Sequence, residues 1–259
     1  MASLWTAPTW ISAFYAKFPL IVFEQEDTLP LDDAARPCLW IHASTSRHRP
    51  WASTSPSSLR YQLLLLFRGV PVNFRHWQNE EAVPGSSLPV LQVDHRLLAT
   101  SDIRPWLDDE YPSDDLSGMK DQATYDRAVA AAQLVLMYLL PALLASLHKP
   151  VDIISPIPDR LAAGISTILP SALTGTARVA GDQLLARGID ALSALEPMTE
   201  DWGMGATHPT PLDALIASHL YAVSALPNGP LRDRIDGPLA KYMERVLDFA
   251  EQQMRSAIP

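Results

Sequence analysis

Thr207-His208-Pro209-Thr210-Pro211-Leu212-Asp213-Ala214-Leu215-Ile216-Ala217-Ser218-His219-Leu220-Tyr221 reads as the entry to a buried helix with a fully specified N-terminus. Thr210 stands at the N-cap, Pro211 at the first helical position and Asp213 at the third. A threonine hydroxyl there accepts the amide of residue 213, and the aspartate carboxylate reaches back to the amide of residue 210. Proline suits the first position because its missing N–H has no helical partner to lose. The run beyond it, Leu212 to Leu220, is apolar on every side except at Asp213, Ser218 and His219, as expected of a helix covered all round.

Upstream, the pattern is strand and helix in alternation. Cys38–Ala43 is a short strand, and Leu59–Gly69 a helix ended by glycine. Leu64 and Leu65 add a second apolar side to its stripe of Leu59, Leu63, Leu66 and Phe67, which places that helix between a sheet and another layer. Val70–Trp77 and Leu88–Val93 are strands. Asp94-His95-Arg96 turns into a hairpin partner carrying Leu97 and Leu98, and Ser101 caps a helix over 102–111. Residues 113–118 read as a linker, and everything beyond is helical in pattern. A helix from about Lys120 to Leu147 is expected to kink at Pro141, two or three shorter helices to occupy 158–196, and a last helix to follow Gly237-Pro238. The division is thus 1–37 as an extension, 38–112 as a thioredoxin-like domain and 113–259 as an all-helical domain: an α/β unit followed by an all-α one.

Composition narrows the function classes. A net charge of −9 over 259 residues speaks against a nucleic-acid binder. One cysteine, Cys38, excludes an internal disulfide framework and fits a reducing compartment. No basic stretch precedes an apolar run at the N-terminus, so no secretory signal is expected. The longest apolar segment, Leu134–Leu147, is interrupted by Pro141 and falls short of the roughly 20 residues of a membrane span, so it is expected to be a core helix. The extension is aromatic, with Trp5, Trp10, Phe14 and Phe18 and only Lys17 charged in its first 23 residues. It either packs on its own domain or docks on a partner or membrane interface. Arg47, Arg49 and Trp51 form a basic-aromatic cluster in the serine-rich loop 44–58. It reads as a solvated loop, or as a contact for anionic head groups or a partner's acidic loop.

This arrangement resembles the glutathione-transferase superfamily: a βαβ–ββα half with Leu88-Pro89-Val90-Leu91, then a helical half whose Thr210-x-x-Asp213 cap opens a core helix. Within it, Pro209-Thr210-Pro211-Leu212-Asp213-Ala214-Leu215 with Ser218-His219-Leu220-Tyr221, Ser57-Ser58-Leu59 and Ser86-Ser87-Leu88-Pro89-Val90 resemble the metaxin branch. Metaxins are cytosol-facing subunits of the sorting and assembly machinery of the mitochondrial outer membrane. The resemblance implies a non-enzymatic protein without cofactor or metal. Its partners would be the machinery's barrel subunit, a second metaxin-like subunit and the sorting signals of β-barrel precursors, with peripheral contact to the membrane. The absence of a C-terminal anchor favours the smaller, peripheral type.

The rival reading is an active glutathione transferase, and a third is a scaffold of this fold in another cytosolic complex. The enzyme needs a hydroxyl or thiol held at the N-terminus of the first helix, the backbone beside the strand proline, and an acid–serine pair for the γ-glutamyl end. Pro89 is present, and the resemblance implies a cis peptide before it. Ser101 is in place, but Thr100 stands where the acid belongs and Asp102 follows instead. Ser57 or Ser58 is expected as the helix N-cap, in a loop too long to hold a hydroxyl for thiolate activation. Cys38 reads as a structural thiol. The seven histidines show no metal-ligand spacing, and His219 reads as a satisfied core histidine.

Overall fold

The computed structural model describes residues 29, 36–44, 46, 48–113, 118–147 and 181–256. Trp5, Trp10, Phe14, Phe18 and Arg47 lie outside them, as do the expected helices of 158–180. Among the described residues, four strands form one sheet: β1 (Cys38–Ile41), β2 (Asn73–His76), β3 (Val90–Val93) and β4 (Arg96–Leu98), in the order β2-β1-β3-β4. β1 pairs parallel with β2, Leu39 opposite Phe74, and antiparallel with β3, Leu39 opposite Leu91. The parallel step is bridged by α1 (Pro56–Phe67), and α2 (Thr100–Glu110) follows the β3–β4 hairpin. This is the thioredoxin-like arrangement that the alternation of elements implied.

The period of two along each strand sorts the core into two layers. Leu39, Ile41 and Leu91 face α1 and α2, meeting Leu59, Leu63, Ile103 and Leu107. Cys38, Trp40 and Val90 face the other way, against Val83, Leu88 and Leu29. Leu29 lies in the N-terminal extension, so at that point the extension covers the outer face of the sheet. Trp40 crosses Trp77 edge-on, with ring centroids 5.9 Å apart, and its indole N–H donates to Gln92 Oε1 at 3.3 Å. α1 ends as its sequence dictates, with Gly69 in the left-handed region at φ 68°.

Among the described residues, the helical half comprises α3 (Gln122–Ser146), α4 (Gly181–Leu195), α5 (Pro211–Ser224) and α6 (Gly237–Ser256). Every residue of α5 from Leu212 to Val223 is buried, so its uniformly apolar sequence reflects its place at the centre. α1 packs on it, and its own Leu63, Leu64, Leu65 and Leu66 are all buried between sheet and helices.

α3 departs from expectation twice. It runs through Pro141 by way of a π turn, Val135–Leu139, in which the Leu140 amide reaches back to the Val135 carbonyl. Pro141 has no N–H for the carbonyl four residues earlier, and the widened turn absorbs that mismatch. The helix is therefore 25 residues long, and by length and composition it is long and apolar enough to cross a bilayer. Reading the proline as an interruption had hidden this. Nor is it covered on all sides, since only 33% of its apolar window is buried. Ala128, Ala131, Val135 and Leu139 face the core, whereas Val129, Leu136, Met137 and Tyr138 are exposed.

α3 and α4 approach closely at Gly188, where an added Cβ would overlap that of Ala142. Gly188→Ala is expected to destabilise the fold by about 1–3 kcal/mol in urea unfolding, although alanine is the better helix former.

Candidate functional site

The N-terminus of α1, the Leu88-Pro89 peptide and the N-terminus of α2 converge, and the Leu88-Pro89 bond is cis. The hydroxyls here do not act as expected. The α1 N-cap is Ser55, without a side-chain cap bond, and Pro56 occupies the first turn. Ser57 Oγ instead donates to the Leu88 carbonyl at 3.3 Å. Ser58 is fully buried, and its Oγ lies 3.1 Å from His42 Nδ1. His42 Nε2 in turn meets Glu80 Oε1 at 2.9 Å, and Glu80 Oε1 accepts the Leu88 amide at 3.5 Å. α2 begins at Thr100 rather than after a Ser101 cap, because Ala99 takes the N-cap position. Thr100 Oγ1 donates to the Pro89 carbonyl at 2.7 Å, and Ser101 Oγ donates to Asp102 Oδ1 at 3.1 Å.

Hydroxyl, imidazole and carboxylate thus stand in the order of a nucleophile, a base and an orienting acid. The resemblance ends at access. Ser58 Oγ is sealed inside the protein and also accepts the His42 amide at 3.5 Å. No substrate carbonyl can reach it. The chain Ser58–His42–Glu80 is a latch that ties the end of β1 to α1 and to the segment before Pro89. The result is that both backbone groups of Leu88 are engaged by the protein's own side chains, Ser57 at the carbonyl and Glu80 at the amide. Sequence reasoning missed this, since His42, Ser58 and Glu80 are far apart in the chain and form no local motif.

The serine-rich loop is held, contrary to its composition. Gln62, fully buried on α1, accepts the Ser53 amide at 3.0 Å and donates to the Trp51 carbonyl at 2.6 Å. Arg49 meets Glu244 and Asp248 at 2.6 Å and Glu251 at 3.3 Å, three carboxylates on one face of α6. Burial works against the Arg49 charge, but hydrogen bonds and Coulomb attraction from Asp248 and Glu244 outweigh it and raise its pKa. Arg49 is therefore an internal clamp and not a solvated cation, and Trp51 is half-buried against the core.

The capping box at α5 grows into a larger polar centre. Thr210 N donates to Asp213 Oδ2 at 2.7 Å, and Thr210 Oγ1 accepts the Asp213 amide at 3.4 Å. The fully buried Asp213 also takes the Gly203 amide at 2.7 Å and the Tyr242 hydroxyl at 2.6 Å, both on Oδ1. Burial first, and then the charge and hydrogen bond of Asp213, push the Tyr242 pKa well above that of free tyrosine. Nearby, His219 Nδ1 lies 2.8 Å from the Leu215 carbonyl. Burial, opposed by that bond and aided by Arg60, pushes its pKa down to about 4. Both side chains are buried, Tyr242 against Asp213 and His219 against the Leu215 carbonyl. Among the described residues, no cluster of His, Cys, Asp and Glu is placed to hold a metal ion.

Compared by sequence, the chain matches no family model and no curated protein. Compared by structure, it is similar to glutathione transferase Omega 3C of Trametes versicolor, with 12% identity, a TM-score of 0.53, and 86% of this chain and 89% of that one covered. The fold is that of the glutathione transferases. Beta-etherase LigF of a Sphingobium strain aligns at 13% identity and a TM-score of 0.51, over 86% of this chain and 98% of that one. A glutathione S-transferase of Actinobacillus pleuropneumoniae aligns at 15% identity and 0.50, over 84% and 92%. At such identities the likeness shows the fold alone.

Proposed function

We propose that this chain is a non-enzymatic, metaxin-like subunit of the sorting and assembly machinery on the cytosolic face of the mitochondrial outer membrane. There it binds the barrel subunit beside a second metaxin-like subunit and helps to receive and insert β-barrel precursors. The observation that carries the reading is the internal occupation of Leu88. A glutathione transferase of this fold keeps the backbone beside its strand proline open for ligand, and here Ser57 and Glu80 fill it. The Thr100 hydroxyl, turned onto Pro89, leaves Ser101 without an acid before it. The 209–221 motif supplies the link to metaxins.

Two measurements test this. Calorimetry with millimolar glutathione is expected to give no saturable heat. Clear binding that Ser101→Ala abolishes would instead support the alternative, a glutathione-dependent transferase. Affinity purification from mitochondria is expected to recover a stoichiometric outer-membrane barrel protein. Recovery of the free monomer would sink the proposal, and recovery with only soluble partners would favour a scaffold in another cytosolic complex.

A further inference from the structure

Three half-buried arginines are met by the fold. Arg49 has the three carboxylates of α6, Arg68 has Asp108 and the Tyr111 carbonyl, and Arg245 donates to the carbonyls of Thr199, Glu200 and Asp201. Arg60, half-buried on α1 one turn beyond Ser57, is not. Among the described residues no oxygen accepts from it, and its Nε is sealed without a partner. What it has is the Tyr61 ring, 6.0 Å from the guanidinium carbon to the centroid. Asp108, the carboxylate that α2 turns toward α1, meets Arg68 at 3.0 Å and Arg104 at 3.6 Å instead. Burial first, opposed by Tyr61 and aided by the charge of Arg104, lowers the Arg60 pKa. A guanidinium stays charged all the same, and a partly desolvated charge without a partner costs free energy that a counter-ion recovers.

We propose that Arg60, with Arg104 beside it, is a binding site for a carboxylate, supplied by a free organic acid or by an acidic side chain of a peptide. The sign of the ligand follows from the missing counter-charge. Its class follows from the guanidinium, whose paired N–H donors match the two oxygens of a carboxylate. A single negative charge suits the site better than the two of a phosphate, because Arg104 already shares Asp108 and Arg60 is the charge left over. The sealed Nε takes no part. The carboxylate meets the terminal nitrogens, where the half-buried side chain reaches the surface. In the ligand-free protein Arg60 lowers stability, which is the mark of a side chain kept for binding and not for the fold. The site uses neither the backbone of Leu88 nor the strand proline, and it stands independently of the metaxin-like reading.

The test follows the Arg60 Nε–Hε resonance of the full chain by NMR, at neutral pH and constant ionic strength. The probes are sodium acetate, a capped alanine–glutamate–alanine tripeptide and inorganic phosphate. Acetate and the tripeptide are both expected to shift the resonance saturably. A tripeptide about threefold or more tighter than acetate would assign the site to a partner's acidic side chain, and any smaller ratio to a free acid. Thermal unfolding supplies the second arm. Without carboxylate, Arg60→Gln is expected to melt about 2 °C or more above the parent, since it removes an uncompensated charge. With saturating acetate, the Tm of the parent should rise and that of Arg60→Gln should not. No saturable shift with either carboxylate, or a response to phosphate alone, would overturn the proposal. So would an Arg60→Gln protein that melts no higher than the ligand-free parent, because Arg60 would then be an ordinary packing residue.

Discussion

Asp213→Ala is expected to lower the unfolding free energy by about 3–5 kcal/mol, enough to unfold much of the population of a marginally stable domain. The carboxylate accepts from the Gly203 amide, the Thr210 amide and the Tyr242 hydroxyl, all in the interior. Removing it leaves these donors without acceptors, at about 1–3 kcal/mol each before relaxation. Two milder substitutions calibrate the effect. Thr210→Ala removes the cap acceptor and the hydroxyl that donates to Asp213 Oδ2 at 2.7 Å, but leaves the carboxylate its other donors, and is expected to cost on the order of 1 kcal/mol. Tyr242→Phe removes one donor and leaves the carboxylate held by the others, so it is expected to cost about 1.5–3 kcal/mol. Urea unfolding should rank the losses, largest first, as Asp213→Ala, Tyr242→Phe and Thr210→Ala. An Asp213→Ala loss no larger than that of Thr210→Ala would show that the buried centre contributes nothing beyond an ordinary cap.

The second large effect is a loss of stability in mild acid. His219 is pushed down to about 4 in the folded protein, against about 6.5 when unfolded. Between those values the unfolded chain binds the proton and the folded one does not, so acid favours unfolding. The contribution is fully present above pH 6.5 and is lost as pH falls toward 4. A shift of that size corresponds to about 3 kcal/mol over the window. His219→Gln keeps a donor for the Leu215 carbonyl and cannot take up the proton. Its unfolding free energy is expected to be flatter between pH 6.5 and 4 than that of the parent. Equal slopes for the two proteins would place the acid sensitivity elsewhere.

What was legible in the chain was local. The cap at Thr210 and Asp213, the β3–β4 hairpin and the glycine after α1 each depend on residues within a few positions of one another, and all three are where the sequence placed them. The two-sided apolar character of α1 was also readable, because sandwiching leaves its mark on every turn. The misreadings involve partners far away in sequence. Loop 44–58 looked loose because Gln62 and the acidic face of α6 are not in it. Asp213 looked like a cap alone because Gly203 and Tyr242 arrive from other elements. Pro141 looked like a break because local rules cannot foresee a π turn. Of the candidate site, what was legible was Thr100 standing before Ser101. The groups that fill the space were not, since Ser57 and Glu80 reach Leu88 only through the fold.

The burial of α1 has a further consequence for how the molecule comes apart. Its Leu63 to Leu66 belong at once to the sheet's layer and to the helical half, where α5 and α6 pack against it. The Phe67 ring meets Phe249 of α6 at 5.9 Å, and Arg49 ties the preceding loop to the same helix. A fragment ending at residue 113 would therefore carry a full sheet and yet expose one whole side of its central helix to water. The boundary drawn in the linker divides the chain by architecture but not by cooperativity. The two halves are one unfolding unit, and heat should melt them in a single transition.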